Sequence, residues 1–342
     1  MSGTVTREGG VGPATGPAAP TLEVEGLSVE FATAHGRVRV VEDVSFHVAA
    51  GETVGLVGES GSGKTVTCMS IPRLLPSHAR LEGSVRLEGC ELTTLSESAM
   101  RDLRGRRIGV VFQEPSASLN PAFTISHQIE SVIRRHEDVG RAVAHRRAVD
   151  LLGMVGIPRP DLRARAYPHE FSGGMAQRAM IAMALACSPS LLLADEPTTA
   201  LDLTIQAQII DLFRRLQREL GMAMIFVSHD LAVVGELADR IHVMYAAQVV
   251  ESGERDDVLG APLHPYTEGL LGAMPRFAEA DGRLRVIPGT AILAGEAPAG
   301  CRFAPRCGYA QPQCERPVPL VRTDAREHRC VRADELSLRG WQ

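Results

Sequence analysis

Lysine is all but missing from this chain of 342 residues: among its 36 basic residues only Lys64 is a lysine, and the rest are arginine. The arginines form no block and the formal net charge is −5, so an extended stripe for nucleic acid is lacking and no nucleic-acid partner is expected. No apolar run reaches the roughly 18 residues a membrane-spanning helix needs. The richest stretch, Ala179 to Ala194, is interrupted by Ser188-Pro189-Ser190, so the chain is not expected to cross a membrane itself. The N-terminus has neither the charged start nor the apolar core of a secretory signal. Residues 1–20, rich in Gly, Pro, Ala and Thr, read instead as a disordered cytoplasmic tail.

What is present suits one large domain with an appendage, since domains usually run to about 100–200 residues. From Leu22 to Val48 apolar and polar residues alternate with the period of antiparallel strands. Thr53 to Val57 is a short apolar run of the kind a buried parallel strand requires, followed by a Gly-rich turn and a helical pattern over Lys64–Leu75. Helical spacing with charged faces runs from Ala122 to Gly156, within a helical subdomain placed at about residues 115–170. A helix over Gly173–Cys187, a strand at Leu191–Ala194, a helix over Leu203–Leu220 and a strand at Ala223–Val227 follow. Strands alternating with helices argue for an α/β fold with a mostly parallel sheet. The prolines Pro262, Pro265, Pro275 and Pro288 then mark a less regular region, so residues 21–252 are read as the main domain and 253–342 as a C-terminal extension, divided near Ser252-Gly253.

The octapeptide Gly58-Glu59-Ser60-Gly61-Ser62-Gly63-Lys64-Thr65 matches G-x-x-x-x-G-K-[ST] between a strand and a helix. Its glycines let the backbone turn N–H groups inward around phosphates, Lys64 reaches the β- and γ-phosphates, and the Thr65 hydroxyl ligates Mg²⁺. The composition that replaced every other lysine by arginine left this one. Leu191-Leu192-Leu193-Ala194-Asp195-Glu196 ends a buried strand in two carboxylates, which need a cation or a task. Asp195 is assigned to the Mg²⁺ shell and Glu196 to the water that attacks the γ-phosphate. Up to this point the chain reads as a P-loop ATPase of unspecified kind.

The phrase Phe171-Ser172-Gly173-Gly174-Met175-Ala176-Gln177-Arg178 resembles the signature motif of ABC ATPases, usually L-S-G-G-Q, although alone it would also read as a helix start with Ser172 as N-cap. The resemblance implies that Ser172, Gly173 and Gly174 bind the nucleotide of a second ATPase subunit, so that the active unit is a dimer. It further implies that Gln113 contacts Mg²⁺ and the attacking water, that Ala200-Leu201-Asp202 crosses the dimer interface, that His229 is the switch residue at the γ-phosphate, and that Phe31 stacks on adenine. The expected fold is then a RecA-like ABC core with an antiparallel β-subdomain and a helical subdomain.

Gln113-Glu114-Pro115 with Ser118-Leu119-Asn120-Pro121, Ser172-Gly173-Gly174-Met175 and His264-Pro265-Tyr266-Thr267 resemble in particular the oligopeptide, dipeptide and nickel importer ATPases, over about Leu22 to Arg332. Ala176 departs from that pattern, where arginine is usual, at a partner contact and not at the hydrolytic site. The resemblance implies ATP-driven uptake of peptides, with nickel, a sugar or an opine as alternative cargo. Its partners would be a second ATPase subunit, two transmembrane permeases that meet the segment from Gln113 to Pro121, and an extracytoplasmic substrate-binding protein. The chain would lie on the cytoplasmic side of the cell membrane. A soluble ABC protein of translation or DNA repair is the reading of another class, but the single cassette and lack of heptads do not favour it.

Cys301-x5-Cys307-x6-Cys314-x15-Cys330 contains no close C-x-x-C pair and fits a zinc ribbon poorly, and a disulfide would be unusual in a reducing cytoplasm. Four thiolates from loops carrying Pro305, Pro312, Pro317 and Pro319 suit a [4Fe–4S] cluster, and the related importer ATPases carry this pattern as such a site. Zinc and plain reduced thiols stay open, with His328 as a substitute ligand. The extension is expected to act as a structural staple that docks the tail on the dimer or permease, with the catalytic residues, all before Ser252, keeping their basal ATPase chemistry if it is loosened.

Overall fold

The computed structural model describes residues 19–34, 36–199, 201–274, 285–292, 295–323 and 326–341; the expected N-terminal tail, Ala200 and Pro275 lie outside them, the tail but for residues 19 and 20. Strand β1 (Leu22–Thr33) pairs antiparallel with β2 (Gly36–Val48), from Leu22 opposite Val48 to Thr33 opposite Gly36. Its alternating residues Leu22, Val24, Leu27 and Val29 are buried against Val41, Val44, Phe46 and Val48. Strand β3 (Thr53–Val57) is buried along its whole length, as its unbroken apolar run requires. Helix α1 (Lys64–Ser70) ends earlier than expected: Ile71 is still in helical backbone, but Pro72 has no N–H with which to continue the hydrogen-bond ladder. Strands β4 (Ala79–Leu87) and β5 (Cys90–Glu91) then complete a four-stranded antiparallel sheet ordered β2-β1-β4-β5.

Helix α2 (Glu97–Leu103), capped by the Ser96 hydroxyl, leads to β6 (Ile108–Val111). The residues expected to be helical hold α3 (Pro115–Ser118), α4 (Ile125–His136), α5 (Arg141–Met154) and α6 (Pro160–Arg163). Their apolar faces, among them Ile125, Ile129, Ile133, Ala148 and Leu152, pack on α7 (Gly173–Ala184). Strand β7 (Leu191–Asp195), helix α8 (Leu203–Leu220), strand β8 (Ala223–Ser228), helix α9 (Leu231–Leu237) and strand β9 (Arg240–Tyr245) follow. Helix α8 buries Ile209, Ile210, Leu212, Phe213 and Leu216 and stops at Gly221, which adopts the left-handed conformation glycine accepts freely.

The chain then runs through β10 (Gln248–Glu254), α10 (Arg255–Gly260), α11 (Pro265–Gly272), β11 (Val321–Arg322) and β12 (Glu327–His328). The second sheet is ordered β11-β12-β10-β9-β3-β8-β7-β6. Within it β9, β3, β8, β7 and β6 are mutually parallel, so the carboxyl ends of β3, β6, β7 and β8 open on one edge. The expected division at Ser252-Gly253 falls inside β10, where Ser252 pairs with Glu327. The extension therefore adds strands to the main sheet, and Phe303, Cys301, Cys307 and Ile287 pack on the main core.

Candidate nucleotide site

Central strand β3 leads directly into the loop 58–63, whose turns need glycine at defined points. Gly58 and Gly63 have φ of 155° and 103°, and a Cβ on them would stand 2.1 Å from the Met244 carbonyl oxygen and 2.6 Å from that of Val40. Ser60, Gly61 and Thr65 face solvent, whereas Ser62 and Lys64 are buried. Ser62 Oγ has no hydrogen-bond partner among the described residues, so a buried hydroxyl stands in this loop ready for an acceptor. Lys64 Nζ donates to the carbonyls of Gly58 at 2.8 Å and Glu59 at 2.9 Å. Burial draws its pKa below the ordinary value, with the carboxylates of Glu196, Asp195 and Glu59 opposing that fall.

Asp195 closes β7 next to this loop, and its Oδ1 accepts from Thr65 Oγ1 at 3.0 Å. Burial raises its pKa, offset in part by the Thr65 bond and the Lys64 charge. A hydroxyl and a buried carboxylate paired in this way are the hard oxygen donors that Mg²⁺ prefers. Glu196 follows in left-handed backbone, φ 45°, which is costly for a side chain with a Cβ and turns its carboxylate away from the strand. Three groups converge on its Oε2: Thr199 Oγ1 at 3.0 Å, His229 Nδ1 at 3.3 Å and Gln113 Nε2 at 3.4 Å. These arrive from the ends of β7, β8 and β6, so the parallel sheet collects residues spread over more than a hundred positions.

Thr199 was not expected; its only signal is a hydroxyl three residues past a strand-end acid. Phe31 is half-buried beside His78, with ring centroids 5.6 Å apart. Ser172 caps α7 by accepting from Met175 N, and Ser172 and Gly173 are exposed. Gly174 is closed in by Ile205, since a Cβ there would stand 2.8 Å from Ile205 Cγ2. The described hydrogen bonds of this stretch stay within its own helix, so it is not brought to the phosphate loop of the same chain. Asp202 caps α8, accepting from Thr204 N and Ile205 N, and is exposed beside Leu203, itself 82% exposed.

The four C-terminal cysteines lie together: Cys301, Cys307, Cys314 and Cys330 line a single cavity with Phe303 and His264. Burial pushes the thiols of Cys301 and Cys307 up and that of Cys330 to about 11. His328 is not among the lining residues; its Nδ1 accepts from Cys330 N at 3.4 Å, and the histidine at the cavity is His264, whose Nδ1 accepts from Tyr266 N. Among the described residues no three His, Cys, Asp or Glu side chains converge closely enough to hold one metal ion. Nor does the extension stand apart from the phosphate loop. Tyr266 Oη accepts from Glu59 N at 2.8 Å, and the Arg306 guanidinium donates to both oxygens of the Glu59 carboxylate, at 2.6 and 3.0 Å.

Comparison with known proteins agrees with this geometry. The family described as ABC transporter matches residues 41–199, and the family described as oligopeptide/dipeptide transporter, C-terminal region, matches residues 250–314. A protein of Brucella abortus (strain 2308) named for peptide import ATP binding is 51% identical over 314 residues, 91% of this chain and 95% of its own length. Another so named, from Brucella melitensis biotype 1, is 49% identical over 333 residues, 93% and 98% of the two chains. Among solved structures, the dimeric bacterial ABC transporter cassette MJ0796 is similar with TM-score 0.62 and 27% identity, covering 68% of this chain and 98% of the cassette. The protein cbiO1 of Clostridium perfringens, part of the ABC transporter complex cbiONQ, gives 0.60 and 25%, covering 70% and 90%. This chain belongs to the ABC transporter family, as an ATPase subunit that carries the oligopeptide/dipeptide transporter C-terminal region.

Proposed function

We propose that this chain is one of two ATPase subunits of a peptide importer, hydrolysing MgATP between its own phosphate loop and the Ser172-Gly173-Gly174 stretch of the second subunit. The observation that carries the hydrolytic part is the convergence of Gln113, Thr199 and His229 on one oxygen of a backbone-strained Glu196, beside a loop with a buried, unpartnered Ser62 hydroxyl. In this reading the backbone of Gly58, Ser60, Gly61, Ser62 and Gly63 cradles the phosphates and Lys64 neutralises them. Thr65, Asp195 and Gln113 would hold Mg²⁺, which neutralises charge developing on the phosphate oxygens. Because Oε2 of Glu196 is occupied by three partners, Oε1 takes the water and its proton. Phe31 stacks on adenine, and Asp202, exposed at the start of α8, faces the second subunit.

Peptide as the cargo rests on the relatives named for peptide import and on the matched C-terminal region. The partners follow from the same reading: two transmembrane permeases and an extracytoplasmic substrate-binding protein, with this chain peripheral on the cytoplasmic side. None of the helices among the described residues is long and apolar enough to cross a membrane, which agrees with separate permeases. A groove lined by Gln113, Pro115, Leu119, Pro121, Phe171 and Ala176 is the place for a permease helix. The functional division stays at residues 252/253, since every proposed hydrolytic residue precedes it.

The four cysteines fit a [4Fe–4S] cluster better than one zinc ion. Four thiols around one shared cavity, with no close C-x-x-C pair among them, are the ligand set such a cluster would use. Its contribution would be a cross-link among Pro-rich loops that have little regular structure of their own. Purification of the tagged chain without oxygen tests the whole reading. MgATP hydrolysis, co-purifying integral membrane proteins and about four irons per chain are expected. A soluble, permease-free complex would overturn the importer, and zinc without iron would overturn the cluster.

A further inference from the structure

Glu59 is an odd residue for a loop that receives phosphates, because its carboxylate places negative charge where the substrate brings more. Every polar group of Glu59 is nevertheless engaged. Its carbonyl accepts from Lys64 Nζ, its N–H donates to Tyr266 Oη, and its carboxylate takes the two-pronged Arg306 guanidinium. Arg306 is itself fixed: its side chain is 5% exposed, Nε donates to the Pro288 carbonyl at 2.8 Å, and Nη1 also reaches Tyr245 Oη at 3.3 Å. Tyr245, Tyr266 and Phe303 pack around it, with ring centroids 4.6 to 5.3 Å apart. Arg306 ends the short turn Ala304–Arg306, and the next residue is Cys307 of the thiol cavity.

We infer that Arg306, assisted by Tyr266, is a positioning residue for the phosphate loop: it cancels the Glu59 charge and fixes the loop whose Gly58 and Glu59 carbonyls hold the Lys64 ammonium ready for the nucleotide's phosphates. The inference rests on the proposed nucleotide site and adds to it a dependence on the C-terminal extension. Two physical terms act together. Without the guanidinium, an uncompensated carboxylate in a partly buried loop repels the phosphates and competes for the Lys64 ammonium. Without the fork, the Glu59 peptide loses one of the anchors that set the loop's shape. Neither term touches the group that takes the water's proton, so the effect falls on nucleotide affinity and leaves the chemical step alone.

The test is MgATP binding and steady-state hydrolysis by the full-length protein carrying Arg306→Met, Glu59→Gln with Arg306→Met, and Arg306→Lys. Arg306→Met should weaken MgATP binding and raise its KM by about tenfold, with kcat at saturation within about twofold of the parent. The double variant, which removes both charges, should recover most of the affinity. Arg306→Met binding MgATP as tightly as the parent overturns the inference, as does a double variant no better than the single one. If Arg306→Met does not fold, Arg306→Lys, which keeps charge but loses the fork, should show a smaller KM rise, and an unchanged KM overturns the inference equally. A parent protein that binds no MgATP would instead refute the nucleotide site itself.

Discussion

The nucleotide edge and the cysteine extension meet at Glu59, yet they are held in place by different means. At the nucleotide edge, backbone does the positioning: parallel strands deliver Gln113, Asp195, Glu196 and His229 to one edge, and glycines shape the loop. In the extension, side chains do it, and arginine above all. Arg302 pairs with Glu42 and the Ala246 carbonyl, Arg306 with Glu59, and Arg326 with the fully buried Glu251. A site built on strand ends tolerates change in the residues between its motifs, whereas one built on buried ion pairs depends on each partner. The difference predicts that substitutions at the edge act on nucleotide binding and hydrolysis, and those in the extension on its own stability and, through Arg306, on nucleotide affinity.

The largest effect is expected at Glu196. Glu196→Gln keeps shape and hydrogen bonding but removes the base, so kcat should fall by about 10²–10⁴ while MgATP still binds and, in the proposed dimer, traps the closed state. ATPase assay with size-exclusion chromatography checks this, and turnover within about tenfold of the parent would remove Glu196 from its role. Lys64→Ala should act earlier, weakening MgATP binding by about 100-fold, because the chain has no other lysine and the ammonium is buried in the loop. Calorimetric titration giving undiminished affinity would contradict the phosphate-loop assignment.

On the other side of the comparison, Glu251 accepts from Leu263 N, His264 N and Arg326, and is 0% exposed. Glu251→Ala leaves two N–H groups without their acceptor and Arg326 with the Ala261 carbonyl in place of a carboxylate, and should destabilise the fold by about 3 kcal/mol, read from urea unfolding and from earlier proteolysis of the extension. An unchanged midpoint would show that the extension does not depend on its ion pairs. The smallest effect lies in the β-subdomain. Burial alone would raise Glu91, but bonds from the Ser84 and Thr93 hydroxyls and from Thr93 and Val85 N–H outweigh it and bring its pKa to about 2. A folded pKa below the unfolded one gives stability that is present above the usual carboxylate range and lost as pH falls toward about 2. Glu91→Gln should cost about 1 kcal/mol at neutral pH, discounted for its partial exposure, and flatten the acid limb of a stability profile. An unchanged acid limb would count against it.

The sequence made the nucleotide edge readable because each piece is local: Gly58 to Thr65, Asp195-Glu196 and the alternation of β1 and β2 need no distant partner to be recognised. The bounds of the helix over Leu203–Leu220 were legible to the residue, while its cap at Asp202 and its stop at Gly221 came from the structure. Arg306 carried no such signal, and Tyr266 only as part of His264-Pro265-Tyr266-Thr267, which pointed to the family and not to this contact. They lie 247 and 207 residues from Glu59, and an arginine in a Pro-rich segment looks like solvated surface until the fold buries it. For the same reason the extension was expected to dock on the dimer or permease, and its reach into the phosphate loop was not foreseen.

The short strands β11 and β12 also decide how the protein behaves in solution. They cover the outer side of β10, which holds Val249 and Val250, and leave as the new margin a two-residue strand carrying Arg322, paired with Glu327. A brief, charged margin is a poor template for pairing with another chain. A chain cut after residue 254 would not be a minimal ATPase; it would be a sheet with a longer, more apolar border, prone to sticking to its own copies.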